Sequence, residues 1–145
     1  MHSRPTYDDA NLILKLYDMR REDKLRNARA WFSGNFKHVT TIEQFQKVCA
    51  PGTDENAFFR MTTTYWDMAA SFVTTGILNE ALFYESGREL LFVWERVKDY
   101  VAAYRQATKD QTYLRNLETV GLSFATRFRT TTPEGYEAFA KRVRG

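Results

Sequence analysis

The sequence predicts an all-α protein, a single-domain helical bundle of about five to six helices. Apolar residues recur at intervals of three and four along most of the chain, and no useful stretch alternates as a half-buried strand would. Capping residues, glycines and prolines mark the ends of the periodic stretches. With 145 residues, of which 43% are hydrophobic, the chain can bury one core, so residues 1–145 are expected to form one domain.

The first predicted helix begins with an acidic variant of the capping box, formed by Thr6 and Asp9. It continues from Tyr7 to about Ser33. Its apolar positions lie on one face before the charged stretch 20–24 and on another face after it. We therefore expect either a kink near residue 22 or two halves that pack against different partners.

Two further helices are predicted in the first half of the chain. Thr40 and Glu43 have capping-box spacing, which predicts a short helix at residues 41–49. A longer helix is predicted at residues 54–75, and its wide apolar face favours a central position with neighbours on more than one side. Residues 77–86 are ambiguous between a brief helical turn and a loop.

The second half of the chain predicts three helices. The clearest, at residues 88–107, has apolar residues at strict intervals of four and three: Leu90, Trp94, Val97, Val101 and Tyr104. A helix at residues 111–128 contains Gly121, for which close approach of another backbone is a reasonable explanation. Pro133 begins a terminal helix at residues 133–143.

Composition excludes several classes of protein and site. One cysteine cannot form an internal disulfide, and one thiol with two histidines is too few for a common zinc site. Residues 1–9 are polar and lack an apolar signal core, while the longest unbroken apolar run, residues 90–94, is far too short to span a bilayer. We expect a cytoplasmic protein that is not inserted in a membrane.

Residue types that carry chemistry are sparse. Glu95 and Asp99 share a helical face, but the nearby Lys98 favours a solvated, salt-bridging surface over an acid–base pair. Cys49 and His38 could form a nucleophile pair, whereas the apolar helix position of Cys49 favours a buried structural thiol. No catalytic residue, metal or cofactor is predicted, and a non-enzymatic role is favoured.

The leading functional hypothesis concerns the N-terminal helix. The apolar face of its first half is out of phase with that of the second half, and it consists of Leu12, Ile13, Leu16, Tyr17 and Met19. An unmatched apolar face is often an interface. The sequence therefore favours a protein–protein interaction or structural domain that self-associates, or binds another protein, through this helix.

Two alternatives remain open. A pocket for a small molecule could lie between helices 54–75 and 88–107, lined by Tyr65, Trp66, Trp94, Tyr100 and Tyr104, although the same spacing is what core packing requires. Weak nucleic-acid binding could use the basic C-terminal residues Arg127, Arg129, Lys141, Arg142 and Arg144. Cations at a helix C-terminus explain three of these five without a ligand, so nucleic acid is not the expected partner.

Charge is distributed unevenly along the chain. Residues 1–38 carry eight basic and five acidic side chains, residues 39–126 eight and eleven, and residues 127–145 five and two. The basic ends could therefore meet the acidic middle, either within one molecule or between two. This distribution is weaker evidence for nucleic-acid binding than a continuous basic stripe would be.

Several short motifs carry a family resemblance. An aromatic-rich helix leads into the segment 73–79, with sequence VTTGILN, and is followed by Gly87, by WERV at 94–97 and by YR at 104–105. With these motifs, residues 27–127 resemble a family of uncharacterised bacterial helical domains of unknown function. The resemblance implies a helical fold and supplies no reaction or site residue. Some members place a transmembrane segment before the domain, and none is predicted in this chain.

Overall fold

The computed structural model describes residues 4–145, and every regular element within them is a helix. The eight helices of this part of the chain are α1 (Tyr7–Arg20), α2 (Asp23–Asn35), α3 (Ile42–Val48), α4 (Asp54–Thr74), α5 (Glu80–Ser86), α6 (Arg88–Thr108), α7 (Arg115–Thr131) and α8 (Pro133–Arg144). The all-α prediction is confirmed, but the prediction of five to six helices was too low. None of the helices within residues 4–145 has the length and apolar character needed to cross a membrane.

Near residue 22, where a kink or a change of packing partners was predicted, the chain breaks into two helices. α1 begins with the predicted capping box between Thr6 and Asp9. α2 begins at a new cap, because the Glu22 carboxylate accepts hydrogen bonds from the backbone N–H groups of Lys24 and Leu25. The two halves also have different neighbours, since α2 packs on α4 whereas α1 lies against α2 and α5.

Other helix ends differ from the predictions by a few residues. The capping box of α3 is formed by Thr41 and Gln44, one residue later than predicted. α7 begins at Arg115 rather than at residue 111, because Leu114 adopts a left-handed backbone conformation with φ of 52°. The ambiguous segment contains the short helix α5, whose N-cap Asn79 accepts a hydrogen bond from the Leu82 N–H group.

Aromatic rings fill the centre of the molecule. The larger core cluster draws on α1 to α7, and its ring contacts include a stacked pair, Phe45 and Tyr100, with centroids 4.2 Å apart. A smaller cluster joins Leu91 of α6 to one face of α7 and α8 through Phe124, Ala125, Tyr136, Phe139, Ala140 and Val143. Tyr84 and Phe92 pack against both clusters and connect them.

Candidate functional site

Two polar contacts fix α1 to the rest of the molecule. The buried Asp9 carboxylate accepts a hydrogen bond of 2.8 Å from the backbone N–H of Asn79, which lies between α4 and α5. The Tyr65 hydroxyl of α4 donates to the backbone carbonyl of Leu16. Because these contacts are directional and lie at both the beginning and the C-terminal half of the helix, they determine its position.

An ion pair anchors the C-terminal end of α1. The Arg29 guanidinium donates to the carbonyl of Arg20 over 2.9 Å and forms two bonds of 2.7 Å with the Glu89 carboxylate. Glu89 also accepts a bond of 3.1 Å from the Trp66 indole N–H. The Arg20 guanidinium in turn lies 5.3 Å from the Trp66 ring centre. Side chains of α2, α4 and α6 therefore converge on the end of α1.

The five residues predicted as an interface fall on different sides of α1. Leu16 is buried, and Leu12 and Ile13 are half-buried against the larger core cluster. Tyr17 and Met19 are exposed. Three of the five residues therefore attach α1 to the core, and two remain at the surface.

An apolar stripe, of which the sequence analysis singled out only Tyr17, follows the outer side of α1. It consists of Tyr7, Leu14 and Tyr17, and the first two are 90% and 62% exposed. The spacing of seven and three residues places all three on one helical face. We call these three residues the α1 stripe. A groove of about 220 Å³ lies beside it, between α1 and α5, and is lined in part by Ile13, Leu14, Tyr17, Arg20, Phe83 and Gly87.

Four of the five aromatic residues predicted to line a pocket form two pairs of contacting rings. The rings of Tyr65 and Trp66 contact each other with centroids 5.0 Å apart, and those of Tyr100 and Tyr104 are 6.0 Å apart. The first three and Trp94 are buried within the larger core cluster, and Tyr104 is half-buried against it. Burial raises the pKa of Tyr65 to about 12, so its hydroxyl remains a hydrogen-bond donor at neutral pH.

A cleft of about 660 Å³ lies where α4 ends, between α5 and α7. One wall comes from the connecting segment 73–79, the same segment that carries the family resemblance, and the opposite wall comes from α7. We call it the α4–α7 cleft. A volume of this size is within the usual range of ligand pockets.

A hydrogen-bonded polar cluster faces the α4–α7 cleft. The Tyr84 hydroxyl lies 2.8 Å from Glu80 Oε1 and 2.6 Å from Ser123 Oγ, and Ser123 Oγ lies 3.2 Å from the same Glu80 oxygen. The Arg127 guanidinium lies 4.4 Å from the centre of the Tyr84 ring. Burial raises the pKa of Tyr84 to about 12, so this hydroxyl is suited to donating a hydrogen bond rather than acting as a base.

The predicted basic residues make contacts within the chain. Three guanidinium groups lie over rings, 4.4 to 5.7 Å from their centres: Arg127 over Tyr84, Arg129 over Tyr136 and Arg142 over Phe139. Arg144 is bonded to Glu95, and Lys141 is exposed. The groups that would stack on bases or pair with phosphates thus already have contacts within the chain. Weak nucleic-acid binding stays a prediction.

Glu95 is buried, contrary to the solvated face predicted for it. Only 5% of its surface is exposed, because α8 covers this side of α6. Its carboxylate accepts hydrogen bonds from Tyr136 at 2.7 Å and Arg144 at 2.9 Å and pairs with Lys98 at 3.0 Å. Burial raises the pKa of Glu95, but these three partners outweigh burial and hold it below its ordinary value.

The thiol of Cys49 is buried, as predicted from its apolar helix position. Burial raises its pKa to about 12, so the thiol is protonated at neutral pH and is not activated as a nucleophile. Among the residues that the structure describes, no three His, Cys, Asp or Glu side chains are grouped as metal ligands would be.

Comparison with known proteins places this architecture in a family. The family model described as "Domain of unknown function (DUF4760)" matches residues 5–123. The matched residues include α1 and its groove, whereas α8 follows them. The resemblance to a family of domains of unknown function is confirmed over residues 5–123 rather than 27–127, and its bacterial origin stays a prediction. No curated protein and no solved structure matched the chain.

Proposed function

We propose a role for this chain from the exposed outer side of α1. The chain belongs to the DUF4760 family of domains of unknown function. The chain is a non-enzymatic interaction domain that self-associates through the outer side of α1. The observation that carries the proposal is an anchored helix whose outer side is apolar. Such patches on folded surfaces commonly mark interfaces.

The attachment of α1 distinguishes an interface from a loosely packed helix. A helix that frayed from the core would expose apolar residues without any partner. Here Asp9, Tyr65 and Arg29 bind both ends and the middle of α1, while Leu16 is buried beneath it. The α1 stripe therefore stays exposed on a helix that is held in place.

The charges of α1 favour an antiparallel pair of copies. The exposed Asp8 lies in its first turn, and Arg20 and Arg21 lie at its end. A twofold axis near Leu14 brings Asp8 of one copy to the same end of the contact as Arg20 and Arg21 of the other. The same arrangement brings the exposed Tyr7 ring to a guanidinium of the second copy, a cation–π contact. Both ends of the contact are thus complementary, as a twofold interface requires.

Replacement of Leu14 by Glu tests the apolar part of this interface. We expect light scattering and sedimentation to show a dimer for the native chain and at least a tenfold weaker association for Leu14→Glu, since a charge would enter an apolar contact. Leu122→Glu is the matched control, because Leu122 is 54% exposed on α7 and should leave the association unchanged. A native chain that is monomeric up to its solubility limit contradicts the proposal.

Complementary charge reversals test the antiparallel geometry. Asp8→Lys and Arg21→Asp should each weaken self-association, because like charges then meet at both ends of the twofold contact. An equimolar mixture of the two variants should associate as a heterodimer, since the introduced lysine meets the introduced aspartate at one end and the native pair meets at the other. Failure of the mixture to associate, with both variants folded, rules out this arrangement.

A second candidate function is the binding of a small molecule. The polar cluster of Glu80, Tyr84 and Ser123 supports it, because these three residues line a cleft of ligand size. This location differs from the predicted aromatic pocket between the helices now named α4 and α6.

Thermal-shift screening against a metabolite library tests the second candidate. A true hit should be lost in Ser123→Ala, which removes one hydroxyl of the cluster and leaves the helix intact. Thr126→Ala is the control, since the Thr126 hydroxyl lies on the exposed side of α7 and bonds to the Leu122 carbonyl. A screen without any stabilising compound counts against this function.

A further inference from the structure

A cleft distinct from the two surfaces above lies between α2 and α6, with α4 at its floor. Its volume is about 420 Å³, which is within the range of small-molecule sites. Its apolar lining comes from Ala30, Phe32, Phe92 and Val93. We call it the α2–α6 cleft. Its volume and apolar walls suit a ligand with a flat, apolar body.

The floor of the α2–α6 cleft carries an unsatisfied hydroxyl. Thr62 is 1% exposed, and within residues 4–145 its Oγ1 is the buried side-chain polar atom without a hydrogen-bond partner. The next two threonines of α4 behave differently: Thr63 donates to the Phe59 carbonyl over 2.9 Å, and Thr64 donates to the Arg60 carbonyl over 2.6 Å. An unpaired buried hydroxyl is costly and rare, so an external partner at this point would satisfy it.

Positive charge surrounds the entrance of the α2–α6 cleft. Arg29 and Glu89 neutralise each other through their two-bond ion pair. Arg26 and Arg88 are exposed at the rim, and in the part of the chain that is described neither forms an ion pair. Arg26 donates to the Arg21 carbonyl over 3.2 Å, and the Arg88 guanidinium lies 4.2 Å from the centre of the Phe128 ring, so both keep their charge without an anionic partner. α6 begins at Arg88 without a side-chain cap, so the partial positive charge of its first turn adds to that of the guanidinium groups. The rim is therefore suited to an anionic group.

We propose that the α2–α6 cleft binds a small aromatic carboxylate that carries a hydroxyl at the opposite end of its ring. The ring lies against the apolar walls, a side-chain rotation of Thr62 turns its solvent-inaccessible Oγ1 toward the ligand hydroxyl at the floor, and the carboxylate meets Arg26 and Arg88 at the rim. Each part of the ligand thus matches one feature of the cleft. The ring matches the apolar lining, the hydroxyl matches the unpaired buried hydroxyl, and the carboxylate matches the positive charge without an ion-pair partner.

Calorimetric titration of the full chain with para-hydroxybenzoate and with benzoate tests the hydroxyl contact. We expect para-hydroxybenzoate to bind about fivefold more tightly, the effect of one hydrogen bond to a buried group. Thr62→Val should abolish this preference. Thr63→Val should retain it, because Thr63 is equally buried on the same helix and its hydroxyl is already bonded. Thr62→Ser, which keeps the hydroxyl, should also retain it.

The rim is tested with Arg26→Gln and Arg88→Gln. Each should weaken both ligands by a similar factor, and added salt should do the same to the native chain. The proposal is overturned if para-hydroxybenzoate does not bind at millimolar concentration, or if folded Thr62→Val keeps the preference over benzoate. Equal binding of the two ligands to the native chain overturns it as well.

Discussion

The indole ring of Trp94 lies directly against Gly121, where an added Cβ would be 2.6 Å from Trp94 Cγ. The neighbour that explains this glycine is therefore a side chain of α6, not the backbone that the sequence analysis expected. Trp94 belongs to the larger core cluster, so the contact fixes how closely α6 and α7 approach at the centre of the molecule.

Replacement of Gly121 by Ala is expected to lower the free energy of unfolding by about 1–3 kcal/mol, because the indole must move to admit the methyl group. Gly34→Ala is the control: Gly34 lies in α2 with open space around it, and its replacement should raise stability by about 0.5–1 kcal/mol. Urea denaturation measures both. Similar changes in the two variants would contradict the steric explanation.

The pairing of Glu95 predicts a specific dependence of stability on pH. Because its folded-state pKa lies below the ordinary value of 4.5, the carboxylate stabilises the fold above pH 4.5. This contribution is lost as the pH falls through the folded-state pKa. We expect Glu95→Gln to lower the free energy of unfolding at neutral pH by about 1.5–3 kcal/mol, the range for hydrogen bonds to a charged group.

Denaturation between pH 3 and pH 7 measures this difference, which should shrink below about pH 4.5, where Glu95 of the unfolded chain takes up a proton before Glu95 of the folded chain does. Glu137→Gln serves as the control, because Glu137 is exposed on α8 and should have little effect at any pH. If the difference in free energy of unfolding between the native chain and Glu95→Gln stays constant across the pH range, the charge of Glu95 is not what stabilises α8.

The hydrogen bond from Tyr65 predicts how α1 is released. Tyr65→Phe leaves the Leu16 carbonyl without its donor, so α1 should open locally more often while the rest of the core remains folded. Hydrogen exchange should show several-fold faster exchange in α1 alone. Tyr100→Phe, a buried ring change in α6, should leave α1 protected. Unchanged hydrogen exchange of α1 in Tyr65→Phe would show that this hydrogen bond does not hold α1 in place.

The same variant connects anchoring with function. Tyr65 is buried and does not belong to the α1 stripe, yet Tyr65→Phe should weaken self-association because a mobile α1 presents the stripe less often. Light scattering at several concentrations measures the effect. Association equal to that of the native chain would show that the interface does not depend on a fixed α1.

Helix boundaries that are set by residues close together in the sequence could be predicted. The capping box at Thr6 and the start at Pro133 are where they were expected, and α6 extends only one residue beyond its predicted end. α5 could not be assigned in the same way, because a helix of seven residues is unstable by itself. It depends on the burial of Phe83 by other elements, which no local pattern reveals.

The candidate sites were predicted less completely, because they depend on which surfaces the fold covers. The sequence indicated α1, but only the packed structure separates buried Leu16 from exposed Leu14. The polar cluster of the α4–α7 cleft was missed because Glu80 and Ser123 are 43 positions apart in the chain. The free hydroxyl of Thr62 was also missed, since its neighbours Thr63 and Thr64 look the same in the sequence.

α8, which follows the family match, completes the surroundings of a residue inside it. The residues shared with the family end at 123, yet Glu95, which is one of them, is hydrogen-bonded by Tyr136 and Arg144 from beyond that boundary. Without α8 the Glu95 carboxylate would keep only Lys98 of its three partners and would lose the helix that covers it, so Glu95 and α8 depend on each other.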